Sequence, residues 1–107
     1  MKAKMKQQDK TITTYKGFDR NWQCLGFQYE IGKTYTHKGA VSLCNSGFHA
    51  CEYPLDVFGY YPPGDDSQYA QTDLGGVTEE KDRDTKRVGS SIAVKASLTI
   101  PLLVSAA

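Results

Sequence analysis

The stretch Gly47–Pro63 reads GFHACEYPLDVFGYYPP, and its pattern decides much of the fold. Phe48–Cys51 predicts a short extended segment after a turn. Pro54–Phe58 predicts one or two turns of helix, because a proline at the first helical position lacks only an N–H that would be unpaired there. Gly59 and Pro62-Pro63 then end the helix. The apolar residues expected to fill the core are Phe48, Leu55, Val57 and Phe58.

Extended segments are predicted on both sides of this stretch. Each is short, rich in β-branched or aromatic residues, and bounded by Gly, Asn, Asp or Pro. They are Thr11–Lys16, Cys24–Glu30, Thr34–Thr36, Ala40–Leu43 and Ser67–Leu74, with Ile92–Leu98 as the most regular.

Two of these segments alternate in a way that predicts which side chains face the core. In Cys24–Glu30 the expected core face consists of Leu25, Phe27 and Tyr29. In Ile92–Leu98 the expected inward residues are Ile92, Val94, Ala96 and Leu98. After that strand, Thr99 is the expected N-cap of a C-terminal helix.

The predicted fold class is α+β: a small antiparallel β-rich domain with one short central helix and a C-terminal helix stub. With 107 residues, the chain is long enough for one domain. We assign residues 11–107 to it, and residues 1–10 to a flexible basic arm rich in lysine and glutamine. The short apolar helix at the end suggests a longer parent protein.

Composition narrows the class of partner. The net charge is +1, from 13 Lys and Arg against 12 Asp and Glu, so direct strong binding to nucleic acid is not expected. The longest apolar run, Ile100–Val104, is far too short to span a bilayer, so no membrane partner is expected. Three cysteines without a secretory signal predict reduced thiols and a cytoplasmic protein.

The thiols and one histidine could carry chemistry. Cys24, Cys44, His49 and Cys51 are residue types that bind zinc, but the spacing from Cys44 to Cys51 is longer than zinc sites usually show. We predict no metal and no cofactor, but the sequence leaves open whether these four residues bind a metal ion. His49 and Cys51 are two apart on one extended segment, and we take them as a polar pair without an evident third catalytic group.

Aromatic and proline residues predict a contact surface. Aromatic side chains with polar tips bury a large area at low entropic cost, which suits a binding face. Tyr60 and Tyr61 adjoin two prolines, and Trp22 lies in a polar turn where the fold does not require it. The predicted binding residues are Trp22, Tyr60, Tyr61, Pro62 and Pro63.

An enzymatic alternative rests on two pieces of sequence. Tyr15–Phe18 and Gly47–Ala50 loosely resemble segments of small ADP-ribosyltransferase-like enzymes, which modify proteins with a nicotinamide dinucleotide. Such an enzyme needs a glutamate that usually opens a late strand, and Ile92–Leu98 has none. We therefore lean against an enzyme. A cleft that held Tyr15 or His49 opposite a glutamate would favour it.

Three blocks of sequence together resemble a known family. They are Lys16–Asp19 (KGFD), Leu25–Tyr35 (LGFQYEIGKTY) and Gly47–Pro63. They are similar to a small domain of unknown function found in bacteriophage and prophage proteins, often before a helix and repeats. The resemblance implies a phage or mobile-element origin and brings no catalytic residues.

We expect from this resemblance a phage-encoded interaction protein in the cytoplasm of the host cell. It would bind and inhibit a host protein, with a CRISPR effector complex as one candidate partner. Such an inhibitor needs a rigid scaffold and a few anchor side chains. A second alternative, beside the transferase, is a structural module of a virion protein.

Overall fold

Six antiparallel strands form one sheet in the computed structural model, which describes residues 11–39, 46–79 and 84–107. The strands are β1 (Thr11–Phe18), β4 (Thr34–Thr36), β5 (Phe48–Cys51), β6 (Gln68–Gly75), β7 (Lys86–Gly89) and β8 (Ser91–Leu98). Their order across the sheet is β4-β8-β6-β1-β5-β7, and every pairing is antiparallel. The predicted segment Ala40–Leu43 and the arm 1–10 lie outside the described residues.

A tight hairpin replaces the single strand that the alternation of Cys24–Glu30 predicted. Gln23–Cys24 forms β2 and Phe27–Gln28 forms β3, with only Leu25 and Gly26 between them. Both turn residues have positive φ, 51° and 81°, which is typical of a two-residue type I′ turn. Because the chain reverses at Leu25, the period-2 pattern fails there.

The expected core face of this segment is therefore wrong for its first two residues. Leu25 is 95 % exposed and Phe27 is 44 % exposed. Only Tyr29 is buried, and its ring packs edge-on against Phe18.

Both faces of the six-stranded sheet are covered. One face carries the larger core cluster: Phe18, Tyr29, Phe48, Ala70, Leu74, Ile92 and Val94. The other face carries a smaller cluster: Cys51, Val57, Tyr69 and Leu103. Successive side chains of a strand alternate between faces, so Phe48 and Cys51 of β5 belong to different clusters.

A β-bulge corrects the prediction for β8. Ile92 and Val94 are buried as expected, but Ala96 is exposed. The register between β6 and β8 shifts between Gln71 and Thr72, and an extra residue in a strand reverses which face later residues occupy. Leu98 accordingly packs in the smaller cluster, on the opposite face from Ile92.

The predicted central helix is present as a 3₁₀ helix, Pro54–Gly59, with proline in its first turn. A second 3₁₀ helix, Pro63–Asp65, follows. Phe48 and Val57 are buried, as the core prediction requires, whereas Leu55 and Phe58 are partly buried at the edge of the smaller cluster. The four residues do not fill a single core, because Phe48 lies on the other face of the sheet from the rest.

The C-terminal helix α1, Ile100–Ala106, is present as predicted. The Thr99 hydroxyl accepts a hydrogen bond from the Leu102 amide at 3.3 Å, which confirms Thr99 as the N-cap. Leu103 is fully buried against the sheet. The predicted fold class is confirmed: an antiparallel β-sheet domain with short 3₁₀ turns and a short C-terminal helix. Within the described residues, no helix has both the length and the hydropathy required for a membrane span.

Candidate functional site

A cleft opens where β1 separates from β5. The described ladder joins these two strands at a single pair, Tyr15 with Cys51, and does not continue to Gly17 and His49. The space beyond that pair has a volume of about 320 Å³, within the range of small-molecule sites. Its walls come from β1, β5, the hairpin tip at Leu25 and the 3₁₀ helix Pro54–Gly59.

Lys16 lies in the gap between the two strands. Its side chain is buried, and its Nζ donates a hydrogen bond of 2.6 Å to the carbonyl oxygen of His49. In an unbroken antiparallel ladder that carbonyl would face β1, so the lysine supplies a donor that the diverging strand does not. The ammonium also lies 5.6 Å from the centre of the Tyr29 ring. Burial lowers the pKa of Lys16 below its usual value, and the neighbouring Cys24 and Cys51 thiols act in the opposite direction.

His49 and Cys51 both lie on β5, the extended segment that the sequence predicted, and both border the cleft. Burial, assisted by the charges of Lys16 and Lys86, lowers the pKa of His49 to about 4. Burial raises the pKa of the Cys51 thiol to about 12, and the carboxylates of Asp84 and Asp56 contribute in the same direction. At neutral pH the pair is therefore an uncharged imidazole and an uncharged thiol. A nucleophilic cysteine needs its thiolate, so this geometry does not activate Cys51.

Tyr61 forms an inner wall of the cleft. It packs against Gly17, where an added Cβ would approach the Tyr61 Cβ to 2.9 Å, so the glycine makes room for the ring. Cys24 and Leu25 of the hairpin border the same cleft, so the hairpin and Tyr61 contribute neighbouring parts of its wall. Tyr61 is thus half-buried, and was expected to be exposed.

Tyr60 stands at the mouth of the same cleft. Its side chain is 43 % exposed, its hydroxyl donates to Asp84 at 2.7 Å, and the Lys86 ammonium lies 4.9 Å from its ring centre. Pro62 and Pro63 follow and are exposed. We define the rim as the exposed residues Leu25 and Tyr60, which border the cleft, together with the exposed Pro62 and Pro63 that follow in the chain.

Trp22 does not belong to the rim, although the sequence placed it in the contact surface. Its backbone has a φ of 63°, and its ring lies 5.1 Å from that of Phe18. It is partly buried against the larger core cluster. The premise that the fold does not need this tryptophan is therefore wrong.

Leu25 is the rim residue that sequence reasoning missed. Its neighbour Gly26 was a signal for a turn, but the alternation of the surrounding residues favoured a strand. The structure places Leu25 at the hairpin tip, where it borders the cleft.

The described residues do not assemble a metal site. No group of three or more His, Cys, Asp or Glu side chains within those ranges could hold a metal ion. Cys24 and Cys51 are free thiols, both beside the cleft. Cys44, the fourth residue of the predicted set, lies outside the described residues.

The family match covers almost the whole chain. Residues 12–106 match the family described as a domain of unknown function, DUF7666. The chain belongs to this family. The part of the chain that builds the cleft and the rim lies entirely within the match to DUF7666. No curated protein and no solved structure matches the chain significantly. The phage origin implied by the sequence blocks stays a prediction.

We expect the stability of the domain to fall as the pH is lowered from about 7 to 4. In the unfolded chain His49 takes up a proton near its ordinary pKa of about 6.5, whereas in the folded chain it does so only near 4. The unfolded state therefore binds more protons between these values, and acid favours unfolding.

Urea unfolding at several pH values would measure this dependence, with His49→Gln and His37→Gln as matched variants. His37 does not border the cleft. The His49 variant should lose less stability on acidification than the wild type, and the His37 variant should behave like the wild type. Equal slopes for the wild type and His49→Gln would contradict the expectation.

Proposed function

We propose that the domain is a non-catalytic protein-binding module, by which a phage or mobile element binds and inhibits a host protein in the cytoplasm. A CRISPR effector complex is one candidate partner. The rim supplies the anchors, and the sheet with its two covered faces supplies the rigid scaffold.

The observation that carries this proposal is that Leu25 combines a left-handed backbone conformation with an exposed side chain. A left-handed backbone conformation costs a non-glycine residue about 1 to 2 kcal/mol. The side chain is 95 % exposed, so its burial does not offset that cost within the domain. Asn or Gly would suit this turn position better, and backbone strain of this kind clusters at functional sites. A partner that buried the leucine would gain roughly 1.5 to 3 kcal/mol.

Tyr60 supports the same use of the surface. Its hydroxyl bond to Asp84 and its contact with Lys86 hold the ring in place before any partner arrives. A pre-ordered aromatic anchor loses little conformational entropy on binding. Leu25 and Tyr60 border one cleft, so a partner segment could contact both.

Leu25→Asn tests the proposal because it should separate stability from binding. We expect the free energy of unfolding to rise by about 1 kcal/mol, since asparagine tolerates the left-handed conformation. Capture of the partner should weaken about 10- to 100-fold, because the apolar anchor is lost. Urea unfolding gives the first quantity, and quantitative pull-down from host lysate gives the second.

Tyr60→Ala should remove the same partner from the pull-down, and Leu102→Ala, an exposed leucine on α1, serves as the matched control. Adding the domain to a purified CRISPR effector complex, and measuring binding and cleavage, tests that candidate partner directly. If the proteins captured by Leu25→Asn and Tyr60→Ala equal those captured by the wild type, the rim is not the binding surface.

One observation favours an ADP-ribosyltransferase-like enzyme as a second candidate: Tyr15 and His49 border the same cleft. The glutamate that this chemistry needs is not among the described residues of the lining. Of the described glutamates, Glu52 forms an ion pair with Arg87 at the surface. Transfer of label from a labelled nicotinamide dinucleotide to a lysate protein, lost in His49→Gln, would support the enzyme over the binding module.

A further inference from the structure

The Lys16 ammonium is buried, and the described residues place the His49 carbonyl and the Cys24 thiol beside it. Among the residues that the structure describes, no carboxylate forms an ion pair with it. One of its three N–H groups is donated to the His49 carbonyl, and the Cys24 thiol beside it is only a weak acceptor. A buried cation without an anionic partner is costly, and a titratable group perturbed by burial in a cleft is a candidate for a functional site.

The groups around Lys16 include a second lysine and two thiols. The charge of Lys86 adds to that of Lys16, whereas Cys24 and Cys51 act on the Lys16 pKa in the opposite direction and His49 is uncharged at neutral pH. No carboxylate is among the described residues that line the cleft. Outside the lining, Asp56 accepts hydrogen bonds from Thr85, and Asp84 accepts one from Tyr60. The cleft thus holds the Lys16 ammonium, with Lys86 also in its lining, within mostly apolar walls.

We propose that the cleft binds a small organic monocarboxylate with an aromatic or apolar body, and that the Lys16 ammonium is the charge partner of its carboxylate. The Tyr15 and Tyr61 rings and the Val57 side chain line the remaining space and suit a planar, apolar body. The volume of about 320 Å³ is at the lower end for ligand sites, which fits a compact molecule.

The donor set favours a carboxylate over a phosphate. Sites for phosphate usually combine arginine forks or several backbone N–H groups with the positive charge. No arginine borders the described cleft, and Arg87 is engaged by Glu52 and the Thr78 carbonyl. A single buried ammonium with few free donors matches a single negative charge.

A titration of the full chain tests the proposal with benzoate, its neutral isostere benzamide, inorganic phosphate and adenosine monophosphate as probes. Backbone amide shifts recorded by NMR report where each probe binds. We expect saturable shifts at Lys16, His49 and Tyr61 with benzoate, and at least tenfold weaker binding of benzamide. In Lys16→Met the ratio of benzoate to benzamide affinity should fall to about one.

The comparison of benzoate with benzamide on the wild type keeps the proposal testable even if Lys16→Met does not fold. Equal affinity for the two probes, or the absence of saturable shifts at the cleft up to about 10 mM, would overturn the proposal. Tighter binding of phosphate or adenosine monophosphate than of benzoate would overturn the assignment to carboxylates. The result is independent of partner capture, because no partner protein is present in this titration.

Discussion

We expect Leu103→Ala to lower the free energy of unfolding by about 2 to 5 kcal/mol. The side chain is fully buried on α1 and packs in the smaller core cluster with Val57 and Tyr69. Truncation removes apolar contacts and leaves a cavity between α1, the sheet and the 3₁₀ helix Pro54–Gly59. Urea unfolding followed by circular dichroism would measure the loss.

Leu102→Ala is the matched control for this prediction. Leu102 precedes Leu103 on the same helix but is 50 % exposed, so its truncation should change stability by about 0.5 kcal/mol or less. A loss of similar size in both variants would mean that the helix does not dock through Leu103. A large loss for Leu103→Ala and a small one for Leu102→Ala would show that α1 is an integral part of the domain, although it is short.

We expect Lys16→Met to change the way stability depends on pH. In the folded wild type the pKa of Lys16 is lowered by burial, so between that pKa and about 10.5 the unfolded chain holds the extra proton. The unfolded state binds more protons there, and the stability of the wild type therefore rises with pH. Methionine cannot titrate and lacks this rise.

The stability of Lys16→Met relative to the wild type should therefore be greatest near pH 7 and decrease toward pH 10.5. The decrease amounts to about 1.4 kcal/mol for each unit by which the native pKa is lowered. The other titratable groups facing Lys16 are unchanged in the variant, so their effects largely cancel in the difference: Cys24, Tyr29, His49, Cys51 and Lys86.

Urea unfolding of both proteins at pH values from 7 to 10.5 measures this difference, and Lys33→Met serves as the control because Lys33 is exposed. The Lys33 variant should track the wild type across the range. A constant difference between Lys16→Met and the wild type would show that the buried lysine does not titrate below its ordinary pKa in the folded state.

Local sequence patterns correctly predicted the strands and the helix that depend only on residues close to them in the chain. Thr34–Thr36 and Phe48–Cys51 form strands with the predicted bounds, and α1 begins after the Thr99 cap. In each case propensity and turn residues act within a few positions of the chain. The sequence blocks also indicated a family of unknown function, and membership of DUF7666 is shown by the match over residues 12–106.

The alternation of inward and outward side chains gave wrong predictions where a turn or a bulge changed which face the following residues occupy. The turn at Leu25-Gly26 reversed a chain that the pattern predicted to be extended, and the bulge opposite Gln71 and Thr72 moved Ala96 out of the core. Both departures depend on how neighbouring strands pair, which a single segment does not encode. The same dependence explains Trp22, which packs on Phe18 through a left-handed backbone conformation.

Local sequence patterns were sufficient to predict the β-rich class, most of the strands, the capped C-terminal helix and the place of His49 and Cys51 on one extended segment. Only the tertiary structure decided how Gly47–Pro63 is used: Phe48 enters one core, Val57 the other, Tyr61 lines the cleft and Tyr60 stands at its mouth. It also decided that Lys16 is buried. The physical reason is that the cleft forms where β1 and β5 cease to pair, and the pairing of two segments distant in the chain is not encoded in either segment alone.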